Sequence, residues 1–553
     1  MVGIILSQST TREAACQLLE EAERGGIREG MLLFIEASPN KRRLLARVSE
    51  IVPYNAFFTE GDPWSEARRK NLPLPEQVAR RYEICKLELL VELPGTNEIT
   101  IPPHPGDYVY RIDPKTAREE IFGVREGESG IIWFGTQAGY KGSPVPLDVE
   151  AIPMHMAIFG VTGSGKSFDT GALIEKLVSI PAAANRAVSF PMLVIDAHGD
   201  YLEYAKYRAG GKDLGAVDAV TRYVFPDAWR RLRATKPVEK LEPIGINLDD
   251  LEPRDLAELV VQYYGGAGSE LQIHGLERTF VEMLDGGWKL SALLTSGYEQ
   301  LTAQIKKKPA SEIHDAAKSA ILRALSKFKE AEDKHQLFSQ ESPLQDKKWV
   351  DELTRQGNLA IVDFSAEGAP GVELPMKQLV MTYLAAVLFA SFTRYKVQGE
   401  DRYLLFVIEE AQNFCPDPSY PVGATLAKTK LSAIATQGRK FGLGLCLISQ
   451  RPSFVDGIVL SMCNTFFIHR VSPEDVSFVR TVTGGLPPGL LARLTKLSRG
   501  EIIITGQMSK VPFPLVVRVE KEERKVPHRA GTTEVVRNLA RLRGVEYGNY
   551  QKV

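Results

Sequence analysis

The chain has 553 residues, 44% hydrophobic and 25% charged, with a formal net charge of −1. At about 100–200 residues per domain, that length makes roughly two to four domains, each with enough apolar residues for a core. The near-neutral balance excludes a global basic field, while leaving room for a local basic pore or groove. The five cysteines, Cys16, Cys85, Cys415, Cys446 and Cys463, are scattered and form no CxxC pair. That usage points to a reduced, cytoplasmic protein without a zinc site. No basic n-region opens the chain and no run of 18 apolar residues occurs, so neither a signal peptide nor a membrane span is expected.

Residues 1–140 read as short extended pieces: "GIILS", "MLLFIEA", "LLARVSEIV", "CKLELLVEL" and "GIIWFG". Turn signals separate them, and one helix is predicted over about 10–24. The pattern predicts a small β-barrel, with "KGSPVPLDVEAIP" at 141–153 as a connector. From there strands alternate with helices over 141–249 and again over 346–506. That alternation predicts an α/β core, a mostly parallel sheet covered on both faces. Residues 250–345 hold few β-branched runs and read as a helical insertion, and 507–553 form a C-terminal segment with one more strand, "PLVVRV", and a charged tail.

The chemistry starts at "AIFGVTGSGKS", residues 157–167. Gly160, Gly165, Lys166 and Ser167 fit the phosphate-binding pattern G-x-x-x-x-G-K-[ST]. In such a loop glycines turn backbone N–H groups toward phosphate oxygens, lysine reaches the β and γ phosphates, and serine holds Mg²⁺. Thr162, Gly163, Ser164 and Phe168 complete the candidate nucleotide contacts. With glycine at about 7% of residues, four fixed positions recur by chance roughly 0.02 times in such a chain, so the pattern is specific. The following helix adds its N-terminal dipole.

"YLLFVIEEAQNF" at 403–414 places Glu409 and Glu410 at the end of an apolar strand, where α/β proteins bind ligands. Glu409 suits the Mg²⁺ shell through water, beside Ser167, and Glu410 suits the general base on the attacking water. Asp196, His198, Asp200 and Tyr201 follow a second strand, and Ser449, Gln450 and Arg451 a third. The Gln450 amide can sense a γ phosphate, because it both donates and accepts. Arg439, in "TQGRKFGLGL", is the first candidate for an arginine supplied across a subunit boundary, with Arg451 and Arg470 behind it. Lys428 and Lys430 are candidates for contacts to a DNA backbone.

"MHMAIFGVTGSGKS", "LVIDAHGDY", "LLFVIEEAQNFCP", "GRKFGLGLCLISQRP" and "CNTFFIHRV" occur in this order. Together they resemble the HerA ATPases, of the HerA–FtsK branch of P-loop motors. The resemblance implies a RecA-like P-loop ATPase core behind an N-terminal barrel. It also implies a homohexameric ring that encircles double-stranded DNA and moves along it using ATP and Mg²⁺, with an arginine from the neighbouring subunit at each site. The segment at about 507–530 would brace the adjacent subunit. The barrel would dock a partner, either a NurA-like nuclease in DNA end resection or a sirtuin-like or nuclease effector in anti-phage defence. In the latter case the ring could serve mainly as a scaffold or regulator of that effector. The sequence departs from the family where Met154-His155 replaces a frequent Arg-His pair, which shifts weight to Arg439. Glu409 stands where an aspartate is usual.

Overall fold

The computed structural model describes residues 1–528 except 25, 56–57, 59–64, 73–80, 114–116, 126, 141, 183–185, 236–238, 264–269, 347, 356 and 423–425; beyond 528 it describes residue 542 alone. Among the described residues, six antiparallel strands close into an N-terminal barrel. Their order is Gly3–Ile5, Glu13–Leu18, Tyr82–Leu93, Arg42–Tyr54, Leu32–Ala37 and Tyr108–Arg111. The helix expected over 10–24 is instead the strand Glu13–Leu18 and a short helix, Glu20–Arg24. Ala14, Cys16 and Leu18 point into the barrel core, so the period-2 burial of a closing strand overrides the helix propensity of "EAACQL".

Twelve strands form the central sheet. Eight run parallel, in the order Leu241–Pro243, Val220–Val224, Leu359–Asp363, Met192–Asp196, Leu404–Ile408, Leu443–Ser449, Met156–Phe159 and Thr465–Ile468. Four antiparallel strands continue it: Glu501–Gly506, Leu515–Arg518, Ile131–Gln137 and Pro144–Asp148. "GIIWFG", grouped with the barrel by its sequence, therefore belongs to this sheet, and the connector at 141–153 supplies its edge strand. Val220–Val224 is hidden in the sequence by Arg222, a buried residue whose guanidinium lies 2.6 Å from Asp363 and 3.2 Å from Glu239.

The inner strands read as continuous apolar runs because both faces are covered. In Met192–Asp196, Leu193 and Ile195 face one core while Met192 and Val194 face the other. The first core contains the helices of the insertion, Pro253–Tyr263, Glu270–Asp285 and Asp315–His335, together with Leu374–Gln398. By length and composition alone Leu374–Gln398 could cross a membrane; Met376, Leu379, Val380, Leu384, Leu388 and Phe392 are instead packed inside this core. The second core holds Lys166–Leu177, the helix that follows the glycine loop. The five cysteines are buried and unpaired. After Leu515–Arg518 the chain continues along Lys166–Leu177 of its own subunit up to residue 528; the rest of the expected brace and tail lies outside the described residues, apart from 542.

Candidate nucleotide site

The glycine loop leaves the end of Met156–Phe159 and feeds the helix Lys166–Leu177. At Gly160 a Cβ would sit 2.5 Å from the Cβ of His469 and 2.7 Å from the Ser164 hydroxyl, so only glycine fits. Gly165 takes φ 113°, a left-handed conformation that a side chain would strain, and caps the helix. Thr162 and Gly163 are exposed, Ser164 and Lys166 are buried, and Ser167 and Phe168 are half-buried. Lys166 Nζ donates to the carbonyls of Gly160 (2.5 Å) and Val161 (3.2 Å). Burial lowers its pKa to about 8, against the pull of Glu410, Glu409 and Asp200.

Glu409 and Glu410 follow Leu404–Ile408, one strand removed from the loop strand. Their surroundings differ sharply. Glu409 is 4% exposed and accepts the Ala197 N–H at 2.9 Å. Burial, reinforced by Asp196 and Asp200, pushes its carboxyl well above the usual range. Glu410 has a left-handed backbone, φ 51° and ψ 48°, uncommon for a residue with a side chain. Its Oε1 is 3.1 Å from His198 Nε2 and accepts from Gln450 Nε2 at 2.6 Å, and its Oε2 accepts from Gln412. Burial alone would raise this carboxyl, but the hydrogen bonds from His198, Gln412 and Gln450 outweigh it and the net shift is downward. The side-chain oxygen of Gln450 accepts from the Thr162 hydroxyl, which links Glu410 to the glycine loop.

Asp196 organises the neighbouring loop, accepting the N–H groups of Gly199 (2.7 Å), Asp200 (3.0 Å) and Tyr201 (2.9 Å). Ser167 and Glu409 offer the hard oxygen donors that suit Mg²⁺, and the crowding of Glu409, Asp196 and Asp200 is the situation a divalent cation relieves. Among the described residues no group of three or more His, Cys, Asp or Glu could hold a metal alone.

The structure does not bring Arg439 to this site. It is exposed in the turn Gly438–Phe441, ahead of Leu443–Ser449, at the end of the parallel sheet opposite the glycine loop. A strand of this length puts it about 20 Å from the strand's other end. Arg451 is tied to Glu474 (2.7 Å) and Asp475 (3.1 Å). Arg470 is exposed beside the loop, its carbonyl accepting from Val161 N. Lys428 pairs with Asp456 (2.7 Å) and Lys430 with Asp255 (2.5 Å), so both lysines are already neutralised within the chain.

The sequence reading missed three contributors. Gln412 grips Glu410 and accepts from the Ser449 hydroxyl; its signal was its place two residues after the acid. His469 lies completely buried under the loop, Nδ1 3.7 Å from Asp169; its signal was its position just past the strand Thr465–Ile468. Arg524 has no local signal, since it reaches the site from 357 positions further along the chain than Ser167, whose carbonyl it contacts.

The family model "Helicase HerA, central domain" matches residues 132–390. The chain is 25% identical to the DNA double-strand break repair helicase HerA of Saccharolobus solfataricus over 95% of its length and 93% of that protein. It is 26% identical to the protein of the same name from Pyrococcus furiosus, over 78% of this chain and 76% of that one. Among solved structures, VirB4 of Thermoanaerobacter pseudethanolicus aligns with a TM-score of 0.47 and 16% identity, over 74% of this chain and 98% of that chain.

Proposed function

We propose that this chain, a HerA-type ATP hydrolase, is the subunit of a ring motor that drives double-stranded DNA through its channel. The observation that carries hydrolysis is the grip on Glu410: three side chains from three loops fix one ionised carboxylate, and one of them, Gln450, also reaches the glycine loop through Thr162. Backbone N–H groups of the loop and Lys166 hold the phosphates. Ser167 and Glu409 would hold Mg²⁺, which would supply charge neutralisation at the phosphates. Glu410 orients the attacking water and accepts its proton, while Gln450 fixes the carboxylate relative to the γ phosphate.

The DNA reading rests on the names of the HerA relatives and on near-full-length coverage of them. Arg439 is exposed and away from its own site; in the homohexamer with shared sites proposed here it would act on the nucleotide of another subunit. The N-terminal barrel is the docking module for a NurA-like nuclease or a sirtuin-like or nuclease defence effector. ATP turnover measured with and without duplex DNA at low salt, beside native mass spectrometry, tests the proposal. Stimulation by duplex and a six-subunit mass support it. Turnover that ignores DNA would leave an ATPase that scaffolds its effector, and a monomer with full activity removes the shared site.

A further inference from the structure

The nucleotide loop is also touched from behind, by the far end of the chain. Residues 519–528 leave the strand Leu515–Arg518 and lie along Lys166–Leu177. Glu175 on that helix accepts the backbone N–H groups of Lys525 (2.7 Å) and Val526 (3.0 Å). Lys176 pairs with Glu523 at 2.7 Å. Between these anchors Arg524 turns inward, its side chain 1% exposed.

The guanidinium spans two parts of the nucleotide site. Nη1 donates to the Ser167 carbonyl at 3.2 Å and lies 2.9 Å from Nδ1 of His528. Nη2 donates to the Asp200 carbonyl at 3.4 Å. Its carbon lies 5.8 Å from the Phe168 ring centre and 5.5 Å from that of Tyr204. Ser167 and Phe168 form the first turn of the helix that carries the glycine loop. Asp200 belongs to the loop whose Ala197 N–H holds Glu409. The seat exists because residue 171 is glycine: a Cβ there would lie 2.5 Å from the Arg524 guanidinium carbon.

We propose that Arg524 is a positioning residue of the nucleotide site, locking the first turn of the P-loop helix to the loop at 197–201 from the chain's own C-terminal segment. This rests on the nucleotide-site reading above and adds that the site is closed in cis by residues 519–528. The planar fork is what the geometry uses, because it reaches two carbonyls and lies beside two rings at once; a lysine ammonium, a point charge, reaches one. Arg524 braces the loop that carries His198 and Ala197, while Gln412 and Gln450 hold Glu410 from other loops, so its loss acts first on the phosphate seat and only in smaller part on the water-activating groups.

The test is ATP turnover against ATP concentration in the full-length protein. Arg524→Ala is expected to raise KM about tenfold with kcat within about threefold, the split that marks lost uniform binding. Arg524→Lys should fall between wild type and Arg524→Ala, and millimolar guanidinium should restore part of the Arg524→Ala affinity. Gly171→Ala is the independent variant. Alanine favours helix more than glycine does, so a purely local effect would leave or improve the protein, whereas filling the seat should copy the KM defect. The double variant should be no worse than either single one, since both remove the same contact. ATPγS affinity by calorimetry is measured alongside, so that failure of hydrolysis in wild type is separable from failure of the seat. Nucleotide affinity within twofold of wild type in both Arg524→Ala and Gly171→Ala overturns the proposal. So does a collapse of kcat at unchanged KM.

Discussion

Both ends of the parallel sheet carry polar residues and do opposite things with them. At the C-terminal ends, Lys166, Glu409, Glu410 and Gln450 converge beside the glycine loop, and burial, hydrogen bonds and neighbouring charges set the protonation of the lysine and the two acids. At the N-terminal ends, His155 is 2% exposed and fully matched: Nδ1 accepts from Leu445 N at 3.0 Å and Nε2 donates to the Ala435 carbonyl at 3.0 Å. It clasps the glycine-loop strand to the next strand and to the helix Leu426–Gln437. Loops leaving the C-terminal ends lead into helix N-termini, which favour anions. Those at the other end receive helix C-termini and are filled to satisfy the backbone. One end is built for chemistry and the other for cohesion.

The sharpest break of that contrast is at Glu410. Glu410→Gln keeps the size of the side chain and loses the proton acceptor, so kcat for ATP should fall by about 10³ or more while ATP binding persists. Lys166→Ala should instead weaken binding, because the phosphates lose their charge partner. Turnover kinetics beside calorimetry separates the two. A Glu410→Gln protein with near wild-type kcat would move the base to another group.

Arg439 is the one residue of the cohesive end offered for chemistry. If it completes a neighbour's site, Arg439→Ala should lower kcat by about 10³ or more, on the scale of Glu410→Gln. The deciding measurement is mixing. An Arg439→Ala subunit has an intact loop, and a Lys166→Ala subunit has an intact arginine. Mixed rings should recover activity that neither protein has alone. Absence of recovery, with mixed rings verified by native mass spectrometry, assigns Arg439 to the surface.

His155 tests cohesion through pH. Burial lowers its pKa to about 4, with a smaller push from Arg439, against an ordinary value of 6.5. The unfolded chain therefore binds the proton first on acidification. Stability is whole above about pH 6.5 and is lost as pH falls toward 4, by about 3 kcal/mol for this group. His155→Phe should melt lower at pH 7.5, because Leu445 N–H and the Ala435 carbonyl lose their partners. It should also lose stability less steeply between pH 6.5 and 4. His469, lowered to about 3 by burial and Lys166, titrates in the same direction, so the slope shrinks without vanishing. An unchanged slope in the melting curves would contradict this account.

The chemical end was legible because its parts are short and local: a glycine loop between strand and helix, and two acids where an apolar run stops. What was not legible depends on closure between distant segments. "EAACQL" becomes a strand only because Tyr82–Leu93 lies beside it. "VTRYV" becomes one because Asp363 and Glu239 neutralise its arginine. The strand that begins with "GIIWFG" joins the central sheet because its last residues, Thr136 and Gln137, pair with Leu515–Arg518. Arg524 shows the same limit within the site, since its role depends on the space left by Gly171.

The smallest expected effect concerns Lys428 and Lys430, which lie on Leu426–Gln437, the helix that runs from the chemical end to the cohesive one. Their sequence position suggested contacts to DNA, and their pairing argues against it. Each lysine side chain is about three-quarters buried and its ammonium sits on a carboxylate: Lys428 on Asp456, which also caps the helix Gly457–Ser461, and Lys430 on Asp255 of the insertion. A phosphate would have to displace a partner already in place, gaining little. Contacts between a lysine and a DNA phosphate release counterions, and each contributes roughly −0.9 to the slope of log affinity against log salt. Two free lysines would therefore add about −1.8, and two neutralised ones close to zero. Replacing both with alanine should leave the salt slope of duplex binding, and DNA-stimulated ATP turnover, within error of wild type. Stability should fall by about 1 kcal/mol or less per pair, as for partly exposed ion pairs. A slope flatter by nearly two units, read from anisotropy titrations across a salt series, would return both lysines to the DNA and show that the ion pairs open when DNA binds.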